Sequence, residues 1–286
     1  MLQLFTDTSA NLPVALTKQH HITVVPFSYT VDGKETDYPD DADFDGAAFY
    51  GAMRTGAVVK TSMVNPDLMA KYFARALSAG DDVLYVGMSG GISGTAQAAV
   101  IAAGELTEKY PARKIVTIDT YAASLGEGLQ VLEAARMIEE GKSLDEIKAH
   151  LLARRPHMCQ FFTVDDLAYL KRGGRISSAT ALIGTVLSIK PILCGDETGH
   201  IVSCGKVRGM KRALQELANY YDTRALDKSE MLGLAHADNA EGAQTLIALL
   251  REKGFTGECL NVVYEPVTGA HVGPGTVALF FYGAEK

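Results

Sequence analysis

The sequence has no excess of positive charge: 27 lysines and arginines stand against 34 aspartates and glutamates, for a formal net charge of −7 at pH 7. Nucleic acid and an anionic membrane surface both favour a basic face, so neither is the expected partner. Cysteine is scarce. Cys159, Cys194, Cys204 and Cys259 are widely spaced, with no CxxC and no Cys/His cluster, so no zinc site is indicated and reduced thiols are expected. No run approaches the ~18 apolar residues of a membrane span. Residues 1–6 pass straight into a strand pattern, without the charged start and long apolar run of a secretory signal, and a cytoplasmic protein is expected. HExxH and Walker motifs are also missing.

What is present is an ordinary globular composition, 47% hydrophobic and 21% charged over 286 residues. That length suggests about two domains and can bury a large core. The most informative stretch is an apolar strand, residues 83–86, leading into Ser89-Gly90-Gly91-Ile92-Ser93-Gly94-Thr95 and an Ala-rich helix. Glycines let a ligand approach the backbone, and the first N–H groups of a helix attract anions. No Lys follows at P-loop spacing, so a carboxylate or a single phosphate suits this turn better than a triphosphate. The same turn also reads as a plain strand-to-helix connection with Ser93 or Thr95 as N-cap.

Taken in order, residues 2–5 read as a strand and Asp7-Thr8-Ser9 as caps for a short helix entered through Pro13. Residues 22–31 read as a second strand, and 32–45 as a loop overlapping a short amphipathic helix. Lys60-Thr61-Ser62 falls in a loop before a helix that starts after Asn65-Pro66. Residues 115–118 form another strand. The helix over 122–140 opens with Gly126 and Gly128, which cost helix stability and point to close packing or a ligand. A helix over 143–155 opens on a capping box of Ser143 and Glu146. The second half offers a strand over 159–164 and a basic turn, Lys171-Arg172-Gly173-Gly174-Arg175. A hairpin follows around Gly195-Asp196-Glu197-Thr198-Gly199, and then further strands and helices. The expected architecture is α/β: a parallel sheet with helices on both faces in an N-terminal domain (1–156), and an α+β second domain (157–286).

Several stretches match one family in its order. Asp7-Thr8-Ser9-Ala10-Asn11-Leu12-Pro13, Lys60-Thr61-Ser62, the 89–95 turn, Leu170-Lys171-Arg172-Gly173-Gly174-Arg175-Ile176-Ser177, Lys190-Pro191-Ile192-Leu193 and Gly269-Ala270-His271-Val272-Gly273-Pro274-Gly275 together resemble the DegV family of bacterial fatty-acid-binding proteins. The resemblance implies a two-domain carrier, not an enzyme, that holds a long-chain fatty acid without a cofactor, the carboxyl near the domain interface. It further implies presentation of that carboxyl to a separate fatty acid kinase, which makes the acyl phosphate for phospholipid synthesis. Carried over to this sequence, Thr61, Ser62, Ser93 and His271 surround the carboxyl, with Gly94, Thr95 and Gly273 completing the ligand site. Arg175 and Arg208 are the candidates for kinase docking. Met63-Val64-Asn65 stands where the family often has Gln-Pro-Ser after the Thr-Ser pair. Ile183, Leu187 and Phe280 are expected to set the pocket volume.

Two other readings stay open. One is a small acyl-ester hydrolase with His271 as base and Ser93 or Thr61 as nucleophile, although these hydroxyls have no evident Asp-His relay. The other is a sensor of a phosphorylated metabolite at the 89–95 turn.

Overall fold

The computed structural model describes residues 1–37, 44–176 and 188–284. Strand β1 (Leu2–Asp7) ends in a 3-10 turn, Thr8–Ala10, and helix α1 (Val14–Gln19) returns the chain to β2 (Thr23–Val25), parallel to β1. There the chain leaves the sheet. Strands β3 (Ser28–Val31) and β4 (Lys34–Asp37), helix α2 (Gly46–Arg54) and β5 (Val59–Ser62) form a separate unit with sheet order β4-β3-β5. Helix α3 (Pro66–Ser78), β6 (Asp82–Gly87), α4 (Thr95–Lys109), β7 (Ile115–Asp119), α5 (Leu125–Glu139) and α6 (Leu144–Arg154) then complete a parallel sheet of order β2-β1-β6-β7.

Side chains of a strand alternate between faces, and β6 shows what that does here. Val83 and Tyr85 pack with Phe73 of α3 and Leu106 of α4, whereas Leu84 and Val86 pack with Val131 of α5 and Ile147 of α6. Both faces of the parallel sheet are therefore covered, as a βα-alternating sequence requires.

The second sheet is mostly antiparallel. It contains β8 (Met158–Thr163), β9 (Ile189–Gly195), β10 (Ile201–Arg208), β11 (Leu232–His236), β12 (Cys259–Val263) and β13 (Val277–Tyr282), in the order β10-β9-β8-β13-β11-β12. Helix α7 (Ala168–Gly173) follows β8, and α10 (Pro266–Val272) precedes β13. Helices α8 (Met210–Arg224) and α9 (Ala240–Glu252) cover one face, where Leu217 and Leu246 meet Phe281. The other face packs on α5, with Leu125 and Leu129 against Phe162 and Phe280.

Helix α5 thus lies between the two sheets and is buried on both sides. Its two glycines serve that packing. A Cβ on Gly128 would strike the Ala10 carbonyl, and one on Gly126 would sit 3.0 Å from both Gln160 Oε1 and the Phe280 ring.

Three local expectations change. Residues 22–31 are two strands in two sheets, broken at Pro26, which has no N–H to continue a ladder. The expected loop 32–45 contains β4, joined to β3 through Asp32-Gly33 with both residues at positive φ (50° and 82°), the geometry of a tight hairpin turn. Lys60-Thr61-Ser62 lies in a strand, β5, paired antiparallel with β3, rather than in a loop. Ser177, the apolar run 179–187 and with it Ile183 and Leu187 lie outside the described residues.

Candidate functional site

The β6–α4 turn is built for contact with another part of the chain. Gly90 N–H donates to Asp119 Oδ2 at 2.9 Å, Gly91 N–H to Ser89 Oγ at 3.1 Å, and Ile92 and Ser93 N–H both to the Ser89 carbonyl. Thr95 N–H donates to Ser93 Oγ at 3.3 Å. With these amides engaged, and the Asp119 carboxylate already on one of them, the turn is a poor cradle for the single phosphate considered from sequence. Its glycines instead admit the β9–β10 hairpin. Ser89 Oγ donates to the Gly199 carbonyl at 2.9 Å, and a Cβ on Gly91 would lie 2.8 Å from the Gly199 carbonyl carbon.

Alternation along β5 separates the Thr-Ser pair. Thr61 turns inward and Ser62 is exposed. Thr61 Oγ1 lies 2.8 Å from His271 Nε2, and this is the contact that brings residues 210 positions apart to one point. His271 sits in the last turn of α10. Gly273 ends that helix at φ 79°, beneath the Tyr169 ring. On the far side of the imidazole, Gly173 leaves room for the ring, since a Cβ there would clash with His271 Nδ1.

Burial, and then the positive charges of Arg175 and Arg172, push the His271 imidazole down to about 4, so it is neutral near pH 7. Arg175, grouped from sequence with Arg208 on a docking surface, is half-buried. Its Nε donates to the Ile92 carbonyl at 3.0 Å and its Nη1 to the Gly173 carbonyl. Burial disfavours its charge, and it has no carboxylate partner among the described residues. Arg208 is exposed at the end of β10.

These groups form one end of a cavity holding about 800 Å³ of atom-free space, part of it open to solvent. The polar end is Thr61, Ser93, Arg175 and His271; Phe27, Phe162, Leu170, Val272 and Phe280 supply apolar wall. Met63, in the stretch where the sequence departs from the family's usual residues, lines the cavity and lies over Gly94, where a Cβ would be 2.6 Å from its Sδ. Gly94 itself is exposed. Thr95 is fully buried, and its Oγ1 accepts from Val64 N–H at 3.3 Å, which ties the β5–α3 connection to the start of α4. Sequence reasoning missed Arg175 as a cavity residue because a cluster of charges reads as solvated surface. Only the family resemblance put Thr61 and His271 together, because nothing local joins β5 to α10.

Among the described residues no group of His, Cys, Asp and Glu could hold a metal ion, and no helix is long and apolar enough to cross a membrane.

Comparison with known proteins places the chain in a family. The model of the DegV family, described as one of uncharacterised proteins, matches residues 1–284. A DegV domain-containing protein of Clostridium perfringens is 39% identical over 286 residues, covering 99% of this chain and 98% of that protein. One from Lactococcus lactis is 35% identical over 283 residues, covering 97% and 96%. Among solved structures, a Thermus thermophilus DegV family protein described by its fatty acid binding superposes with a TM-score of 0.88 at 32% identity, covering 99% of each chain. A fatty-acid-binding DegV family protein from Streptococcus agalactiae gives 0.87 at 30% identity, covering 100% of this chain and 99% of that one. With the family model matched from residue 1 to residue 284 and relatives this similar along their whole length, the chain belongs to the DegV family.

Proposed function

We propose that this protein is a cytoplasmic carrier that binds a long-chain fatty acid in the cavity between its sheets, the carboxylate at the Thr61, Ser93, Arg175 and His271 end. The observation that carries this reading is the half-buried Arg175 guanidinium, which has no carboxylate beside it among the described residues and opens onto an apolar cavity. A buried cation without an anion is costly, and a ligand carboxylate supplies the missing partner. The acyl chain supplies affinity. At ~0.8 kcal/mol per buried CH₂, roughly sixteen carbons contribute on the order of 10 kcal/mol before the costs of binding. The solved relatives from Thermus thermophilus and Streptococcus agalactiae, described as fatty-acid-binding, support the same ligand class.

The hydrolase reading is less well supported. A histidine held near 4 is a weak general base at neutral pH, and no carboxylate orients His271 among the described residues.

Presentation of the carboxyl to a separate fatty acid kinase, with acyl phosphate formation for phospholipid synthesis, extends the proposal. A surface groove on the outer side of His271, lined by Lys60, Arg172 and Arg175, supports it as a place for an anionic donor to approach. Arg208 remains a candidate for kinase docking at the exposed end of β10.

Denaturing the purified protein, extracting it and identifying released lipid by mass spectrometry tests the carrier reading. A near-stoichiometric fatty acid is expected. An empty extract, together with no saturable binding of any long-chain fatty acid to the delipidated protein, overturns it.

A further inference from the structure

Two of the four cysteines meet on the β9–β10 hairpin. Cys194 of β9 lies opposite Val202 of β10, and Cys204 follows two residues later. The ladder slips at that point, with Ser203 opposite Leu193 and Gly205 opposite Ile192, so Cys204 is the extra residue of a bulge. Both side chains pack on the face that α8 covers, with Ile192 and Leu217. Gly195 and Ile201 instead line the ligand cavity, on the other face of the hairpin.

The two thiols hydrogen-bond one another. Cys204 Sγ also lies 3.4 Å from the Ile192 carbonyl oxygen. The hydrogen bond from Cys204 holds the Cys194 thiol below its ordinary value; burial opposes this, and the Arg224 guanidinium adds to the lowering. The same contact, and then burial, push Cys204 up. One sulfur is thus the better thiolate while its neighbour keeps the proton, the division between an attacking and a resolving cysteine.

All four cysteines are free, and Cys194 and Cys204 are both partly exposed. The other two are poorer targets: Cys159 is 1% exposed, and burial raises Cys259 to about 11. Diagonal residues of a regular antiparallel pair stand about 7–8 Å apart, at the upper limit for a disulfide. The bulge eases that limit, because Cys204 has no Cα partner in the ladder and its backbone can adjust toward β9.

We propose that Cys194 and Cys204 form a peroxide-responsive dithiol that closes to an intrachain disulfide, a modification site on the α8 side of the hairpin. The Cys194 thiolate attacks one oxygen of hydrogen peroxide, the O–O bond breaks, and the departing hydroxide takes up a proton to leave as water. The Cys204 sulfur, giving up its proton, then attacks the sulfenic sulfur, the S–O bond breaks and a second water leaves. Two thiols lose two electrons and two protons, and one peroxide becomes two waters. Closure staples the two strands that carry part of the cavity wall. It does not depend on the carrier reading, because the thiols face away from the cavity.

The test treats reduced full-length protein with hydrogen peroxide under native conditions. The protein is then denatured in an alkylating reagent and cut with a protease acting after Asp196 or Glu197, between the two cysteines. The wild type is expected to lose two of its four thiols, and the fragments bearing Cys194 and Cys204 stay joined until a reductant is added. Cys204→Ser is expected to hold Cys194 as a sulfenic acid that a dimedone probe labels, and Cys194→Ser to keep its remaining thiols. Thermal unfolding checks that each variant folds, and the wild-type fragments decide the matter where one does not. Survival of all four thiols, linkage to Cys159 or Cys259, or oxidation of one cysteine to a sulfinic acid with its neighbour still free overturns the proposal. Absence of the dimedone label in folded Cys204→Ser overturns the stated order of attack.

Discussion

Two of the polar clusters among the described residues differ in how their needs are met. The first sits at the C-terminal ends of β1 and β6, where the strand order reverses and where open α/β sheets usually bind their ligands. Here the chain fills the crevice itself. Asp7, fully buried, accepts the Tyr85 hydroxyl at 2.5 Å, the Met88 N–H at 3.1 Å and the Ser9 N–H at 2.9 Å. Glu127, equally buried, is bound by Thr6 at 3.0 Å and by Ser9. Glu265 caps α10 through the Val267 and Thr268 amides, while its own N–H goes to Asn11.

The second cluster, at the cavity, keeps an arginine without a carboxylate partner among the described residues. Saturated polar groups hold a fold together; unsaturated ones reserve a place for something else. Composition alone would rank the three acids as the more suggestive site, and the hydrogen bonds reverse that ranking.

Asp7→Ala probes the saturated cluster most severely. It strands three buried donors, and a loss of about 3–5 kcal/mol is expected in urea unfolding; a loss below about 1 kcal/mol would show the cluster to be dispensable.

Glu265 gives the next largest effect, through pH. Burial raises it from 4.5 to about 7. Its contribution to stability is fully present below about 4.5, where folded and unfolded forms are both protonated, and is lost as pH rises through about 7. Burial raises Asp7 and Glu127 in the same direction. Unfolding free energy should therefore fall between pH 5 and pH 8 by on the order of 3 kcal/mol for the Glu265 share. Glu265→Gln should flatten that slope, and a slope unchanged in the variant would assign it elsewhere.

At the cavity, Arg175→Ala should weaken fatty acid binding by roughly tenfold, as expected for loss of a charge-assisted hydrogen bond, while leaving stability level or higher because a desolvated cation is gone. Calorimetric titration beside thermal unfolding separates the two. Equal loss of binding and stability would make Arg175 a structural residue instead. The smallest contrast is within one strand: Thr61→Val should cost binding several-fold, whereas Ser62→Ala should fall within error. Equal effects would mean that both hydroxyls reach the ligand, against the alternation of β5.

The larger elements were legible because their patterns are local. Alternating strand and helix periodicity around residues 83–109 and the Ser143–Glu146 capping box each act over a few residues, and the structure shows both. Strand β4 was also legible in principle, since Asp32-Gly33 between two short strands is a strong hairpin signal that the polarity of residues 32–45 concealed. The swap of sheets at Pro26 was less so, because 22–31 is rich in β-branched and aromatic residues on both sides of it, and periodicity cannot say which partner a strand finds. At the site, Thr61, Ser93 and His271 were found through family resemblance. Local chemistry by itself gave no reason to join them.

The sequence by itself determined the class of the fold, the absence of a zinc or P-loop motif and the turn at 89–95, because each depends on residue types at fixed short spacing. Tertiary structure alone decided which of those residues act together. Thr61 faces inward and Ser62 outward through the register of β5 on β3, and folding half-buries the Arg175 guanidinium against the Ile92 and Gly173 carbonyls. Burial then set the protonation of His271 and Glu265, because the cost of a charge depends on the solvent that folding removes, and no neighbour in sequence specifies that.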